Sequence, residues 1–121
     1  MKFSIIIPTL NEAKLLPKLI KNLNSFKNDS EVIVVDCGSC DNTIKYAGNA
    51  DVKLLTDFNG RGSQMNTGVK EADCDVLLFV HADTQLPKDT FEKIEELFCS
   101  PSVQIASFRM KFDRQNLLLK L

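Results

Sequence analysis

The sequence predicts an α/β domain: a mostly parallel sheet flanked by helices. Three observations carry this. Short apolar runs recur without polar alternation, as in Glu31-Val-Ile-Val-Val-Asp36 and Val76-Leu-Leu-Phe-Val80, and such strands are covered on both faces. Segments of helical periodicity separate them, and strand–helix alternation implies parallel strands in a three-layer fold. The length, 121 residues, fits one domain spanning 1–121. A chain of that size buries roughly two-thirds of its unfolded surface, so it needs no staples.

The elements follow in order. Phe3-Ser-Ile-Ile-Ile7 is a buried strand ended by Pro8. Residues 11–23 place Leu15, Leu16, Leu19, Ile20 and Leu23 on one helical stripe, with Thr9 or Asn11 as its cap. The β-branched run 31–36 is the second strand, and a short helix follows over 43–50. Val52-Lys-Leu-Leu-Thr56 is the third strand. A glycine turn then opens a helix over 61–72. The run 76–80 is the fourth strand. Residues 88–99 form a helix with Phe91, Ile94, Leu97 and Phe98 on one side, and 103–112 a looser strand.

Composition excludes several classes. The chain is 44% hydrophobic and 26% charged with a net charge of −1, so it shows no electrostatic footprint for nucleic acid. It shows no secretory signal pattern and no run near the ~20 residues of a membrane span. Its four cysteines are too sparse for a disulfide scaffold and read as reduced thiols. The expected location is the cytoplasm, with the inner face of the membrane as a peripheral alternative.

In parallel sheets of this kind ligands bind at the carboxyl ends of the strands. The segments there are Pro8-Thr-Leu-Asn-Glu12, Asp36-Cys-Gly-Ser-Cys-Asp41, Asp57-Phe-Asn-Gly-Arg61 and His81-Ala-Asp-Thr84. Asp36 ends a strand where a carboxylate can accept hydrogen bonds from a base or ribose. Gly38 and Ser39 suit a tight turn. Arg61 opens a helix, where guanidinium and free N–H groups both favour phosphate. Asp83 follows the fourth strand, and carboxylate oxygens suit Mg²⁺ or Mn²⁺ held beside substrate phosphates. Together they describe a site for a metal-bridged nucleoside diphosphate.

The sequence resembles glycosyltransferase family 2, the inverting nucleotide-sugar transferases of the A-type glycosyltransferase fold. The residues that carry the resemblance are Ser4-Ile-Ile-Ile-Pro-Thr-Leu-Asn-Glu12, Glu31-Val-Ile-Val-Val-Asp36, Gly38-Ser-Cys-Asp-Asn-Thr43, Arg61-Gly-Ser-Gln-Met-Asn-Thr-Gly68 and Val76-Leu-Leu-Phe-Val-His-Ala-Asp-Thr84. They occur in the family's order, from about Lys2 to Phe112. The resemblance implies that Pro8, Thr9, Asn11 and Glu12 line the nucleoside pocket. It implies that Asp36 bonds the base and that Ser39 and Asp41 shape its loop. Arg61 would lie near the diphosphate, with Asn66 in the same nucleotide-binding set. Asp83 matches the last acid of the family's Asp-x-Asp metal motif. The implied donor is a UDP- or GDP-sugar; the acceptor is open.

The chain departs from the family pattern at two places. The metal motif reads His81-Ala-Asp83, with histidine for the first acid. Imidazole is a better ligand for Mn²⁺ than for Mg²⁺, and it could instead orient a ribose or diphosphate oxygen. Inversion also needs a general base, which in this family lies in the C-terminal half, so it is expected beyond Leu121. The run Leu117-Leu-Leu-Lys-Leu121 reads as an interrupted element whose apolar surface could pair two copies. The expected unit is therefore the donor-binding half of a transferase, with a catalytically incomplete nucleotide-binding module as the alternative.

Other readings rank lower. Cys37-Gly-Ser-Cys40 follows a strand like a redox motif, but Asp36 and Asp41 flank it and nearby negative charge works against a thiolate. One C-x-x-C and one histidine fall short of a zinc site. Gly60-Arg-Gly62 lacks the third glycine of a dinucleotide fingerprint. A nucleotidyltransferase would carry a basic, glycine-rich first loop, whereas this one is neutral and then acidic. Asp83 as a cap for the helix near Lys88 is the plain structural alternative.

Overall fold

A computed structural model describes residues 1–26 and 29–108. The chain divides into two compact units, Met1–Lys88 and Asp89–Leu121. The first holds strands β1 (Phe3–Thr9), β2 (Ser30–Asp36), β3 (Lys53–Thr56) and β4 (Val76–Phe79), with helices α1 (Leu16–Asn24), α2 (Thr43–Asn49) and α3 (Arg61–Lys70). The second holds α4 (Thr90–Phe98).

The sheet order is β3-β2-β1-β4, and every pairing is parallel. This is the expected architecture. β1 is central and buried along its whole length, as its unbroken apolar run requires. By the right-handed rule the crossovers from β1 to β2 and from β2 to β3 put α1 and α2 on one face, and the return to β4 puts α3 on the other. Ile6, Ile33 and Val35 form a buried cluster with Leu55 and Ala72 packed against it. Each such buried aliphatic contributes about 1.5–3 kcal/mol. The approach of α3 is close: a Cβ on Gly68 would lie 2.5 Å from Ile6 Cγ2.

Most element bounds fall within two residues of the sequence expectation, and three features differ from it. β1 continues through Pro8 to Thr9. Backbone groups of alternate residues point to the same neighbour, and the Ile6 carbonyl accepts from Val80 N–H of the β4 side. The Pro8 nitrogen therefore points past the end of β4, and no ladder bond is lost. Helix α1 starts at Leu16 rather than residue 11, with Pro17 in its first turn. Asn11 has a φ of 53°, which is outside helical space. Neither Thr9 nor Asn11 caps it, because both side chains bond elsewhere. Finally, both-face coverage holds for β1 but not for β4, where Leu77 and Phe79 are exposed.

In the second unit, α4 buries Phe91 and Ile94 of the expected stripe, while Leu97 is exposed. Residues 103–108 carry no strand. The rest of the expected strand over 103–112 and the run 117–121 lie outside the described residues.

Candidate functional site

The strand order reverses at β1, so the topological switch point falls between β1 and β4. All four strand ends open on this edge of the sheet, and each contributes one loop.

The loop after β2 is the most tightly built. Asp36 is fully buried. Its Oδ1 accepts from Thr9 Oγ1 at 2.8 Å and Ser39 Oγ at 2.6 Å. Its Oδ2 accepts from the N–H groups of Gly38 at 2.9 Å and Ser39 at 2.7 Å. Burial pushes this carboxyl up, but the Ser39, Thr9 and Gly38 donors outweigh it and hold Asp36 below the usual carboxylate range. Gly38 turns the chain at φ 92°, where a side chain would be strained.

The β2 loop is in turn latched to the β1 loop. Asn11 N–H donates to Ser39 Oγ at 2.8 Å, and Cys40 N–H donates to Asn11 Oδ1 at 2.8 Å. Ala13 N–H donates to Asp41 Oδ2 at 3.1 Å, and Glu12 N–H to Thr43 Oγ1 at 2.9 Å. The Thr43 hydroxyl donates to Asp41 Oδ1, which also accepts from Thr43 N–H at 2.9 Å. The Thr43 hydrogen bonds, with smaller help from Ala13 N–H, hold the Asp41 carboxyl low.

Two anchors outside the expected set fix the helix behind. Asp57 accepts from Thr67 Oγ1 at 2.6 Å, Ser63 Oγ at 2.8 Å and Asn59 N–H at 2.9 Å. Led by Thr67, these bonds lower its pKa to about 2. Buried Gln64 reaches from α3 across the sheet edge. Its Nε2 donates to the carbonyls of Thr9 at 3.0 Å and Val35 at 2.7 Å. The signal for Asp57 was its spacing to Asn59 and Ser63 in an Asx-type turn. Gln64 gave only a faint one: a polar residue one helical turn before Gly68 on the buried face.

The remaining residues stand open. Arg61, His81 and Asp83 are exposed and Glu12 is partly exposed. Burial, then repulsion from Asp83, pushes the Glu12 carboxyl up, while Arg61 and His81 pull it down and Asp41 adds to the rise. Groups from four strand ends thus share one electrostatic neighbourhood. Asp83 does not cap α4, whose N-cap is Asp89. Instead, Thr84 N–H closes a turn on the His81 carbonyl at 3.0 Å. Pro8 and Thr9 are buried beneath this surface, and Asn66 is exposed on α3. All four cysteines are free thiols.

Comparison with known proteins bears directly on this parallel sheet and its latched, acidic strand-end edge. The family model "Glycosyl transferase family 2" matches residues 4–119. The chain belongs to this family. It is 36% identical over 102 residues to the poly(ribitol-phosphate) β-N-acetylglucosaminyltransferase TarS of Staphylococcus aureus, covering 76% of this chain and 18% of that protein. The TarS structure in complex with UDP-GlcNAc superposes with a TM-score of 0.70 at 30% identity, over 82% of this chain and 31% of that one. The mannosyltransferase PcManGT from Pyrobaculum calidifontis, in complex with GDP-Man and Mn²⁺, gives 0.72 at 25% identity, over 84% and 33%. The chain thus spans a third or less of the length of these relatives. Its fold is that of the A-type nucleotide-sugar transferases.

Proposed function

We propose that this family 2 chain is the donor-binding part of a transferase that moves a sugar from a UDP- or GDP-sugar to an acceptor hydroxyl with inversion. The observation that carries the reading is the convergence of Glu12, Asp41, Arg61, His81 and Asp83 at the switch-point edge. The relatives whose structures hold UDP-GlcNAc or GDP-Man support the donor class.

The roles divide by burial. Asn11 and Glu12 line the nucleoside pocket, and Pro8 and Thr9 form its floor. Asp36 has both oxygens occupied by the protein's own donors, so we assign it to holding the loop on which the base rests. Ser39 and Asp41 keep that loop against the β1 loop. Arg61 and Asn66 face the diphosphate.

His81 and Asp83 fit a divalent ion. They offer an imidazole and a carboxylate on one exposed turn. Among the described residues no group of three or more His, Cys, Asp or Glu side chains is placed to hold a metal alone. A two-donor set suits Mn²⁺ or Mg²⁺, which complete their shells with phosphate oxygens and water. When bound, such an ion would act as a Lewis acid toward the leaving diphosphate. Arg61 neutralises charge on the same group. We assign no described residue to the general base. No helix among the described residues is long and apolar enough to cross a membrane.

The test is calorimetric titration with UDP and GDP, with and without Mn²⁺, on the wild type and Asp83→Ala. Metal-dependent binding that weakens at least tenfold in Asp83→Ala is expected. Absence of binding by folded wild-type protein would defeat the reading, and binding without donor turnover would mark a binding module.

A further inference from the structure

Phe58 stands at the carboxyl end of β3 and is 72% exposed, more than any other large hydrophobic side chain in residues 1–88. An isolated exposed aromatic is ordinary on a protein surface. This one is held in place at the edge where the ligand loops gather. On one side, Asp57 is fixed by its three hydrogen bonds, one of them from Asn59 N–H just beyond Phe58. On the other, the ring packs over Gly38: a Cβ there would lie 3.1 Å from Phe58 Cδ1 and 3.2 Å from Cε1. The absence of a side chain at Gly38 is what lets the ring lie against the β2 loop. That loop is rigid through Asp36, so the ring rests on a fixed support while most of its surface faces solvent.

We propose that Phe58 is the stacking platform for the nucleobase of the donor. The proposal rests on the nucleotide-sugar reading above and names the residue that grips its base. A planar ring beside a buried, hydrogen-bonded turn suits an aromatic heterocycle, because offset stacking joins two flat apolar faces. Stacking accepts any base, since every base has a π-face. Phe58 therefore supplies affinity for the base, and its identity is read by other groups.

The chain contains no tryptophan, so Phe58→Trp installs a single reporter. Its emission should be quenched by UDP and by GDP but not by pyrophosphate, which has no base. Phe58→Ala should weaken calorimetric binding of both nucleotides by about 5- to 100-fold, the loss usual when a stacked aromatic is truncated. It should leave pyrophosphate binding and the circular dichroism spectrum unchanged. Nucleotides that bind Phe58→Ala as tightly as wild type, or that bind Phe58→Trp without altering its emission, would overturn the platform and leave the donor site standing. A wild type that binds neither nucleotide would overturn both.

Discussion

The turn after β2 and the turn after β4 occupy the same edge of the sheet, yet they treat their polar groups in opposite ways. In the first, Asp36, Ser39, Asp41 and Thr43 spend their hydrogen-bonding capacity on the protein itself. In the second, His81 and Asp83 stand exposed, without a described hydrogen-bond partner, on a turn closed only by its backbone. The Asp36 oxygens are occupied by the protein's own donors, whereas the Asp83 carboxylate is open. On the function proposed above, we take the difference to separate residues that build the site from residues that meet its contents.

The largest expected effect breaks the built turn. Asp36→Ala strands four donors around a buried hole. It should cost about 3 kcal/mol or more in urea denaturation, and nucleotide affinity should fall with the loop. Gly68→Ala probes the same scaffold from behind. A methyl 2.5 Å from Ile6 Cγ2 pushes α3, with Gln64 and Arg61, off the sheet, at about 1–3 kcal/mol.

Acid should dismantle the built turns in a defined window. Asp36, Asp41 and Asp57 all have folded-state pKa values below their ordinary 3.8, with Asp57 at about 2. Each binds protons more weakly folded than unfolded. The stability they give is thus complete above about pH 4 and is lost as pH falls toward 2. Asp57→Asn should flatten this part of the stability–pH curve measured by urea denaturation at each pH.

The sequence showed the scaffold and the site unequally, for physical reasons. Parallel order and strand positions were legible because β1 and β2 are apolar without alternation. That the four strand-end segments share one edge was legible because parallel topology places them together. The division of labour within them was not. Asp36 and Asp83 look alike in sequence, as acids following strands, and only burial and the four donors around Asp36 separate them. Pro17 signalled the true start of α1, but the apolar stripe beginning at Leu15 concealed it. Gln64 and Phe58 act through contacts with Thr9, Val35 and Gly38, distant in sequence and unsignalled by local pattern.

The smallest expected effect on stability belongs to the open turn. His81→Ala should change unfolding free energy by no more than about 0.5 kcal/mol, as exposed residues without partners do, while weakening Mn²⁺-dependent nucleotide binding.

One measurement tests the contrast most directly: thermal unfolding of wild type and Asp83→Ala, each with and without saturating UDP or GDP and Mn²⁺. Ligand that binds only the folded state raises its stability by about 2.7 kcal/mol at a hundred times Kd. The two proteins should unfold at the same temperature without ligand, and at one ligand concentration Asp83→Ala should gain at least about 1.3 kcal/mol less than the wild type, as a tenfold weaker Kd requires. An Asp83→Ala protein that is stabilised equally, or that already unfolds well below the wild type without ligand, would contradict the assignment of the β4 turn to the ligand.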